Sequence, residues 1–280
     1  MLVQRVATAA VGIPIIIAVI LIGGPLYVAV AAAILALCVL EFFHAVDAGD
    51  TTPGGDLSER LTEVFLRRSP IAYVAAGAAV LLAIAADNGF DEWTGAFAGA
   101  IAVSFIFLIL TRDAESGLRE WLYAIGAVAY IGFLGSYLVL LRDAPMGKEW
   151  VLLAVFSTFI ADTFAYFVGR SVGRTKIIPE ISPRKTLEGT AAGLVSGIVA
   201  VIALNYALDL DVDIEEIAAL GVLLPIAAFF GDLAESMIKR GTGIKDTSDF
   251  VPGHGGFLDR IDAVLFTTPL VYYWLIWVIL

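Results

Sequence analysis

One stretch near the C-terminal end of the chain, residues 231–262, collects polar residues that an otherwise apolar sequence lacks. It begins in an apolar helical segment, crosses a glycine-rich loop and enters a second apolar segment. Asp232, Ser236 and Lys239 are spaced i, i+4 and i+7, so on a helix they share one face. A carboxylate, a hydroxyl and an ammonium at one helix end indicate a site for ions or phosphates.

The second apolar segment opens with Asp259 and Asp262, spaced i, i+3, which on a helix also point one way. With Asp232 they place three carboxylates at two helix ends. Mg²⁺ is usually held by one or two carboxylates and by substrate phosphates, while Lys and Arg bind the remaining phosphate oxygens. Four cations surround the three acids: Lys239, Arg240, Lys245 and Arg260. The alternative is a solvated loop that merely ends two helices. It is disfavoured because Asp232 and Glu235 precede Lys239 and Arg240, at positions predicted to lie in the membrane. A charge at such positions is costly.

A second polar cluster runs from Asp162 to Glu188. Asp162 lies inside an apolar segment, and an intramembrane carboxylate is a functional-site hypothesis by default. Its alternative is a hydrogen-bonded residue of helix packing. Residues 182–189 read SPRKTLEG, which places Ser182, Lys185 and Thr186 just before a helix. Hydroxyls, cations and free N–H groups at a helix N-terminus bind anions. Ordinary helix capping explains the same pattern, and the two functions are compatible.

The composition predicts an all-α polytopic membrane protein. The 280 residues are 60% hydrophobic and only 16% charged, with a mean hydropathy of +0.90, whereas soluble domains contain about 25% charged residues. A net charge of −11 argues against nucleic-acid binding. The single cysteine, Cys38, lies in an apolar run, so disulfides play no part.

Apolar runs near the ~20 residues that span a bilayer predict about nine transmembrane helices, at approximately 6–23, 26–46, 70–86, 95–111, 120–141, 150–169, 187–208, 217–238 and 263–280. With the N-terminus in the cytoplasm and the C-terminus outside, fifteen of the 17 Lys and Arg residues fall on the cytoplasmic side. Both polar loops, 170–187 and 239–262, are then cytoplasmic, and the location is the cell (plasma or inner) membrane.

The chain is predicted to divide into an N-terminal scaffold, residues 1–150, and a catalytic transmembrane region, residues 151–280. Within the scaffold, residues 57–68 repeat apolar positions beside Arg60, Arg67 and Arg68. This pattern indicates either an interfacial helix on anionic lipid or a plain loop helix.

The polar stretches also carry a family resemblance. Residues 236–262 read SMIKRGTGIKDTSDFVPGHGGFLDRID, which resembles the signature of the CDP-diglyceride synthetase (phosphatidate cytidylyltransferase) family. Residues 162–169, DTFAYFVG, and residues 182–189 resemble other common blocks of that family. Val251 stands where the family more often has Leu, Ile or Phe. The resemblance covers roughly residues 160–265, and the first 150 residues match only in hydropathy and length.

The resemblance implies a polytopic enzyme, a homodimer, that joins CTP to phosphatidate and releases pyrophosphate. It implies Mg²⁺ at Asp232, Asp259 and Asp262, with a second cation left open. Phosphate-binding and catalytic positions would be Ser182, Lys185, Thr186, Ser236, Lys239, Arg240, Lys245, His254 and Arg260. Further substrate-binding positions would be Asp162, Glu188, Asp246, Asp249, Gly255 and Gly256. An isoprenoid-lipid substrate stays an open alternative, as does the choice between CTP and phosphatidate for each cation.

A different class of function is a cation-coupled transporter that uses Asp162, Asp232 and Glu235 as a relay. The charges cluster at the predicted cytoplasmic helix ends instead of crossing the bilayer, and no inverted repeat is visible. A CDP-alcohol phosphatidyltransferase is a third alternative, but its characteristic acidic motif is absent from the sequence.

Overall fold

The computed structural model describes residues 2–47, 62–66, 68–244, 247–248 and 255–280. Within these ranges the chain is helical without a named strand, which confirms the predicted all-α class. One isolated antiparallel bridge joins Lys176 and Thr186 in the loop that precedes the seventh helix. The backbone of such a chain satisfies its own hydrogen bonds in lipid, because each helix pairs its N–H and C=O groups internally.

The described helices are α1 Leu2–Ile22, α2 Gly24–Asp47, α3 Pro70–Asn88, α4 Phe90–Thr111, α5 Ala114–Asp143, α6 Gly147–Val172, α7 Leu187–Ala207, α8 Ile214–Thr242 and α9 Leu258–Ile279. Helix α5 contains a wider π-helical turn at Val128–Phe133, and α9 ends in another at Leu275–Ile279. A short π-helical segment, Thr62–Leu66, lies between α2 and α3. Together with Arg68 it is the described half of the predicted interfacial segment 57–68; residues 57–61 and 67 lie outside the described residues.

Eight of the described helices, α2 to α9, are long and apolar enough to cross a membrane. The apolar part of α1, Ala10–Ile22, is shorter than these spans. Each predicted span overlaps one of the described helices, with ends that differ by up to six residues. Helices α8 and α9 extend beyond the predicted spans because their polar ends, which carry Lys239 and Asp259, remain helical. Hydropathy marks the lipid-compatible core of a helix and not its backbone ends.

Contacts between Cα atoms divide the chain into two compact units, which do not follow a single cut in the sequence. The first unit contains residues 1–140 and 242–261, and the second contains residues 141–241 and 262–280. The sequence-based division into 1–150 and 151–280 stays a prediction about function.

The first unit has an aromatic core where α4 meets α5. Trp93 is fully buried, stacks on Phe133 with ring centroids 4.2 Å apart, and meets Tyr137 edge to face. Its indole N–H donates to the Ser136 hydroxyl at 2.6 Å, so the polar end of this buried ring is satisfied.

In the second unit, small residues allow helices to approach closely, as is common in membrane proteins. A Cβ atom at Gly189 of α7 would lie 2.7 Å from the Ala165 carbonyl oxygen of α6. A Cβ atom at Gly231 of α8 would lie 2.6 Å from the Asp262 carbonyl oxygen of α9. A buried hydrogen bond from Thr158 to Thr267, 3.1 Å long, joins α6 to α9. These crossings fix the helices that carry the acidic residues of this unit.

Candidate active site

Three acids of the second unit form a group that can hold a metal ion. Asp232 and Glu235 of α8 and Asp262 of α9 each offer a carboxylate oxygen, and these oxygens lie within 4.8 Å of one another. Glu235 and Asp262 are 1% and 8% exposed, and Asp232 is half-buried. Three carboxylates this close and this buried stay ionised only beside counter-charges, because like charges at short range in low dielectric repel strongly.

The helix geometry explains how the group assembles. Asp232 and Glu235 are spaced i, i+3 and therefore lie on one face of α8. Gly231 precedes them and has no side chain, so the backbone of α9 at Asp262 and Ala263 comes within van der Waals range. The Ala263 amide donates to Asp262 Oδ1 at 2.8 Å, which holds that carboxylate near the start of its helix.

Two lysines flank the acidic group. Lys185 Nζ lies 2.5 Å from Asp232 Oδ2, donates to the Phe229 carbonyl oxygen at 3.1 Å, and sits 4.4 Å from the centroid of the Phe229 ring. Lys239 Nζ lies 2.7 Å from Glu235 Oε2, one helical turn along α8. Both lysine side chains are mostly buried. Each of these two acids of the group therefore has its own cation.

The charges of this region do not balance. The Asp162 carboxylate of α6 interacts electrostatically with Asp232 and with Lys185, which adds a fourth acid to the region. Four acids against the two lysines leave a formal excess of two negative charges among these side chains. A hard divalent cation with oxygen ligands compensates such an excess. The donor set therefore fits the metal that the sequence predicts, with Glu235 in the group.

The loop before α7 is held by hydrogen bonds within the chain. Thr186 is buried and is the N-cap of α7, since its hydroxyl oxygen accepts from the Gly189 amide at 3.2 Å. Glu188 accepts from the Arg174 and Thr175 amides and from the Thr175 hydroxyl. In the structure these two residues tie the loop to the helix start. Their predicted contacts with substrate stay predictions.

The capping role of Thr186 gives a stability prediction. Thr186→Ala is expected to lower the free energy of unfolding by about 1 kcal/mol, because the Gly189 amide loses its acceptor in a buried position. Thr186→Ser keeps the hydroxyl and serves as the control. Thermal unfolding in detergent measures both variants, and equal midpoints for alanine and serine would contradict the cap.

The C-terminal end of α8 contacts the loop before α7. Arg240 donates from Nε to the Ile181 carbonyl oxygen at 3.3 Å, beside Ser182. Ser236 is buried on α8, between Asp232 and Lys239 in sequence. The structure thus brings Ser182, Lys185 and Arg240 to neighbouring parts of one loop and one helix end within the second unit.

The glycine-rich segment, residues 243–258, belongs to the first unit, and only part of it is described. Asp259 Oδ2 accepts from the Thr247 amide at 3.0 Å, from its hydroxyl at 2.7 Å and from the Gly256 amide at 2.8 Å. Its position as a metal ligand stays a prediction. Gly255 has a φ of 82°, which suits glycine, and the Arg260 amide donates to the Phe257 carbonyl. Four predicted residues lie outside the described residues: Lys245, Asp246, Asp249 and His254.

Sequence reasoning missed Glu235 as a member of the acidic group and found no role for Glu41. The i, i+3 spacing of Asp232 and Glu235 was a usable signal, because it puts both carboxylates on one face of α8. Glu41 is a carboxylate inside an apolar run, as Asp162 is, but its role could not be predicted because its partners lie more than two hundred residues away in sequence.

Comparison with known proteins agrees with the sequence motifs. The model of the cytidylyltransferase family matches residues 3–278. A phosphatidate cytidylyltransferase of Synechocystis sp. is 30% identical over 300 residues, which cover 98% of this chain and 96% of the relative.

Two further relatives bear the same name. The protein of Staphylococcus epidermidis is 31% identical over 203 residues, covering 71% of this chain and 76% of the relative. The protein of Thermotoga maritima is 34% identical over 191 residues, covering 65% of this chain and 70% of the relative. None of these similarities supports the transporter alternative.

Proposed function

The chain belongs to the cytidylyltransferase family, and we propose that it transfers the cytidylyl group of CTP to phosphatidate, giving CDP-diacylglycerol and pyrophosphate. The observation that carries the proposal is the group of Asp232, Glu235 and Asp262 with a lysine beside each of the first two. Such a combination suits a reaction between two polyanions, in which charge must be neutralised before the phosphates can meet.

The reaction needs no nucleophile from the protein. The phosphate monoester of the lipid supplies the attacking oxygen, which forms a bond to the α-phosphorus of CTP as the bond to the bridging β-phosphate oxygen breaks. Pyrophosphate takes the bonding electrons and leaves. Cys38, the single thiol of the chain, is fully buried in α2. The protein's contribution is positioning and charge stabilisation.

Asp232, Glu235 and Asp262 would hold the metal ion, which we propose to be Mg²⁺, with Asp259 as the further ligand expected from the sequence. A bound Mg²⁺ supplies Lewis-acid neutralisation of phosphate oxygens. The chain itself supplies the ligands at the ends of α8 and α9, where both helices pass from apolar to polar sequence. A second cation remains an open part of this proposal.

The flanking lysines would bind phosphate oxygens beside that ion. An ammonium has three donors, and Lys185 uses two of them for Asp232 and the Phe229 carbonyl in the part of the chain that is described. The third donor is available to a substrate oxygen. Lys239, Arg240 and Ser236 follow along α8, and Ser182 lies in the adjoining loop, so these residues would extend the anion-binding surface.

The predicted topology places this chemistry at the cytoplasmic face of the cell membrane, because the polar loops carry most of the positive charge. CTP would then arrive from the cytoplasm and phosphatidate from the bilayer. The homodimer that the family resemblance implies is part of the same proposal.

The decisive experiment is an assay of the purified protein in mild detergent with labelled CTP, phosphatidate and Mg²⁺. Labelled CDP-lipid and an equal amount of pyrophosphate are expected, and both are lost with EDTA. An isoprenyl monophosphate in place of phosphatidate tests the lipid class. If a folded protein gives no product with either lipid, the proposed reaction is wrong. If only the isoprenyl substrate reacts, the lipid assignment is wrong.

A further inference from the structure

Glu41 is an acid that the proposed chemistry leaves unexplained. It lies inside α2, an apolar helix, and its side chain is fully buried. A buried carboxylate in a membrane helix is costly unless it is paired or well hydrogen-bonded. Among the described residues, the groups that compensate for it lie in the first unit.

Three donors from the described part of the glycine-rich segment converge on this carboxylate. Oε1 accepts from the Ser248 hydroxyl at 2.6 Å and from the Phe257 amide at 3.0 Å. Oε2 accepts from the Leu258 amide at 2.9 Å. A single side chain of α2 thus binds residues on both sides of 249–254, the part of the segment that contains Asp249 and His254.

Two of these bonds cap a helix. Leu258 is the first residue of α9, and the first N–H groups of a helix have no partner within it. An acidic group near a helix N-terminus also interacts favourably with the helix dipole. Glu41 therefore acts as an N-cap that is supplied by a distant helix instead of by a neighbouring residue.

Gly256 shows how closely the segment approaches this acid. A Cβ atom at Gly256 would lie 2.6 Å from Glu41 Oε2 and closer still to the Thr247 hydroxyl. The Gly256 amide donates to Asp259 Oδ2, which also binds Thr247. Glu41 and Asp259 hold neighbouring residues of one compact turn, and a side chain at position 256 would displace the Thr247 hydroxyl and the Glu41 carboxylate.

We propose that Glu41 is a positioning residue for nucleotide transfer, acting through the glycine-rich segment. The inference rests on the proposed function, because Gly255 and Gly256 of this segment are predicted to bind substrate. Glu41 holds the Ser248 side chain and the Phe257 backbone, so that the two glycines are presented with little loss of conformational freedom when the nucleotide binds.

Glu41→Gln tests the proposal with minimal change of shape. The glutamine side chain has one acceptor oxygen and one NH₂ group, whereas both carboxylate oxygens accept from backbone N–H groups. Either orientation of the amide therefore directs an NH₂ group at the Phe257 or Leu258 amide. We expect faster hydrogen exchange at these two amides and at least a tenfold rise in KM for CTP.

Glu120→Gln is the matched control, because Glu120 is a helical glutamate of the same unit that pairs with Arg112 at the surface. Its exchange pattern and kinetics should stay as in the unsubstituted protein. Ser248→Ala removes one of the three hydrogen bonds, so a smaller change in the same direction is expected. Should Glu41→Gln fail to fold, Ser248→Ala provides the same two measurements.

The possible outcomes test the role of Glu41 separately from the proposed reaction. Faster exchange with a lower maximal rate but an unchanged KM for CTP would show a purely structural residue and overturn the positioning role. Unchanged hydrogen exchange at Phe257 and Leu258 would show that Glu41 does not hold the segment. If the unsubstituted protein gives no CDP-lipid, the proposed function fails, and the exchange measurement still decides whether Glu41 holds the segment.

Discussion

Asp262→Asn is expected to reduce cytidylyl transfer by at least about 100-fold while leaving the protein folded, an effect comparable to removing one charge-stabilising group from an active site. The substitution keeps the shape of the side chain and the acceptor for the Ala263 amide. It removes one negative charge from the group with Asp232 and Glu235, and with it a ligand for the proposed Mg²⁺. Steady-state rates with labelled CTP and phosphatidate measure the loss.

Thermal unfolding in detergent distinguishes a lost metal ligand from a damaged fold. In EDTA the Asp262→Asn variant should be at least as stable as the unsubstituted protein, because one of three crowded carboxylates is neutral. Added Mg²⁺ should stabilise only the unsubstituted protein, by about 2.7 kcal/mol at 100 times its Kd.

Asp211→Asn is the control for that substitution. Asp211 is exposed and has a φ of 55°, a conformation that Asn adopts as readily as Asp. The activity of the Asp211→Asn variant and its stabilisation by Mg²⁺ should equal those of the unsubstituted protein. Equal Mg²⁺ stabilisation of Asp262→Asn and the unsubstituted protein would remove Asp262 from the metal site.

The helices and part of the site are predictable from the sequence because their causes are local. Apolar runs of spanning length fix α2 to α9 within a few residues, since only a helix satisfies its backbone in lipid. Asp232 and Asp262 stand out for the same reason, because charge next to an apolar run is costly and calls for a function.

The remaining features depend on contacts between distant parts of the chain. Spacing along α8 does not reveal that Glu235 joins Asp262 of α9, since that meeting depends on where two helices cross. The partners of Glu41 lie in a loop far along the chain. Thr186 and Glu188 match both capping and phosphate binding by residue type, and the described hydrogen bonds show a helix cap for Thr186 and a loop contact for Glu188.

The crossing of α8 and α9 leads to the second large prediction, for Gly231→Ala. The added methyl group would lie 2.6 Å from the Asp262 carbonyl oxygen and 2.9 Å from the Ala263 Cα. Both neighbours are backbone atoms, so the helices must move apart instead of a side chain rotating away. We expect a loss of stability of about 1–3 kcal/mol, typical of overpacking, and at least about a 100-fold loss of activity, as a 1 Å displacement of reacting groups can cause.

Gly99→Ala is the matched control, because Gly99 also lies within an apolar helix and a Cβ atom there has no neighbour within 4 Å. This control should keep full activity, with stability unchanged or raised by up to about 1 kcal/mol through the better helix propensity of alanine. Wild-type activity and Mg²⁺ response in Gly231→Ala would show that the carboxylates do not need this close crossing. If activity falls while stability is unchanged, the reason is geometric: the added methyl group moves Asp232 away from Asp262, and the two helices no longer present their acids to one ion.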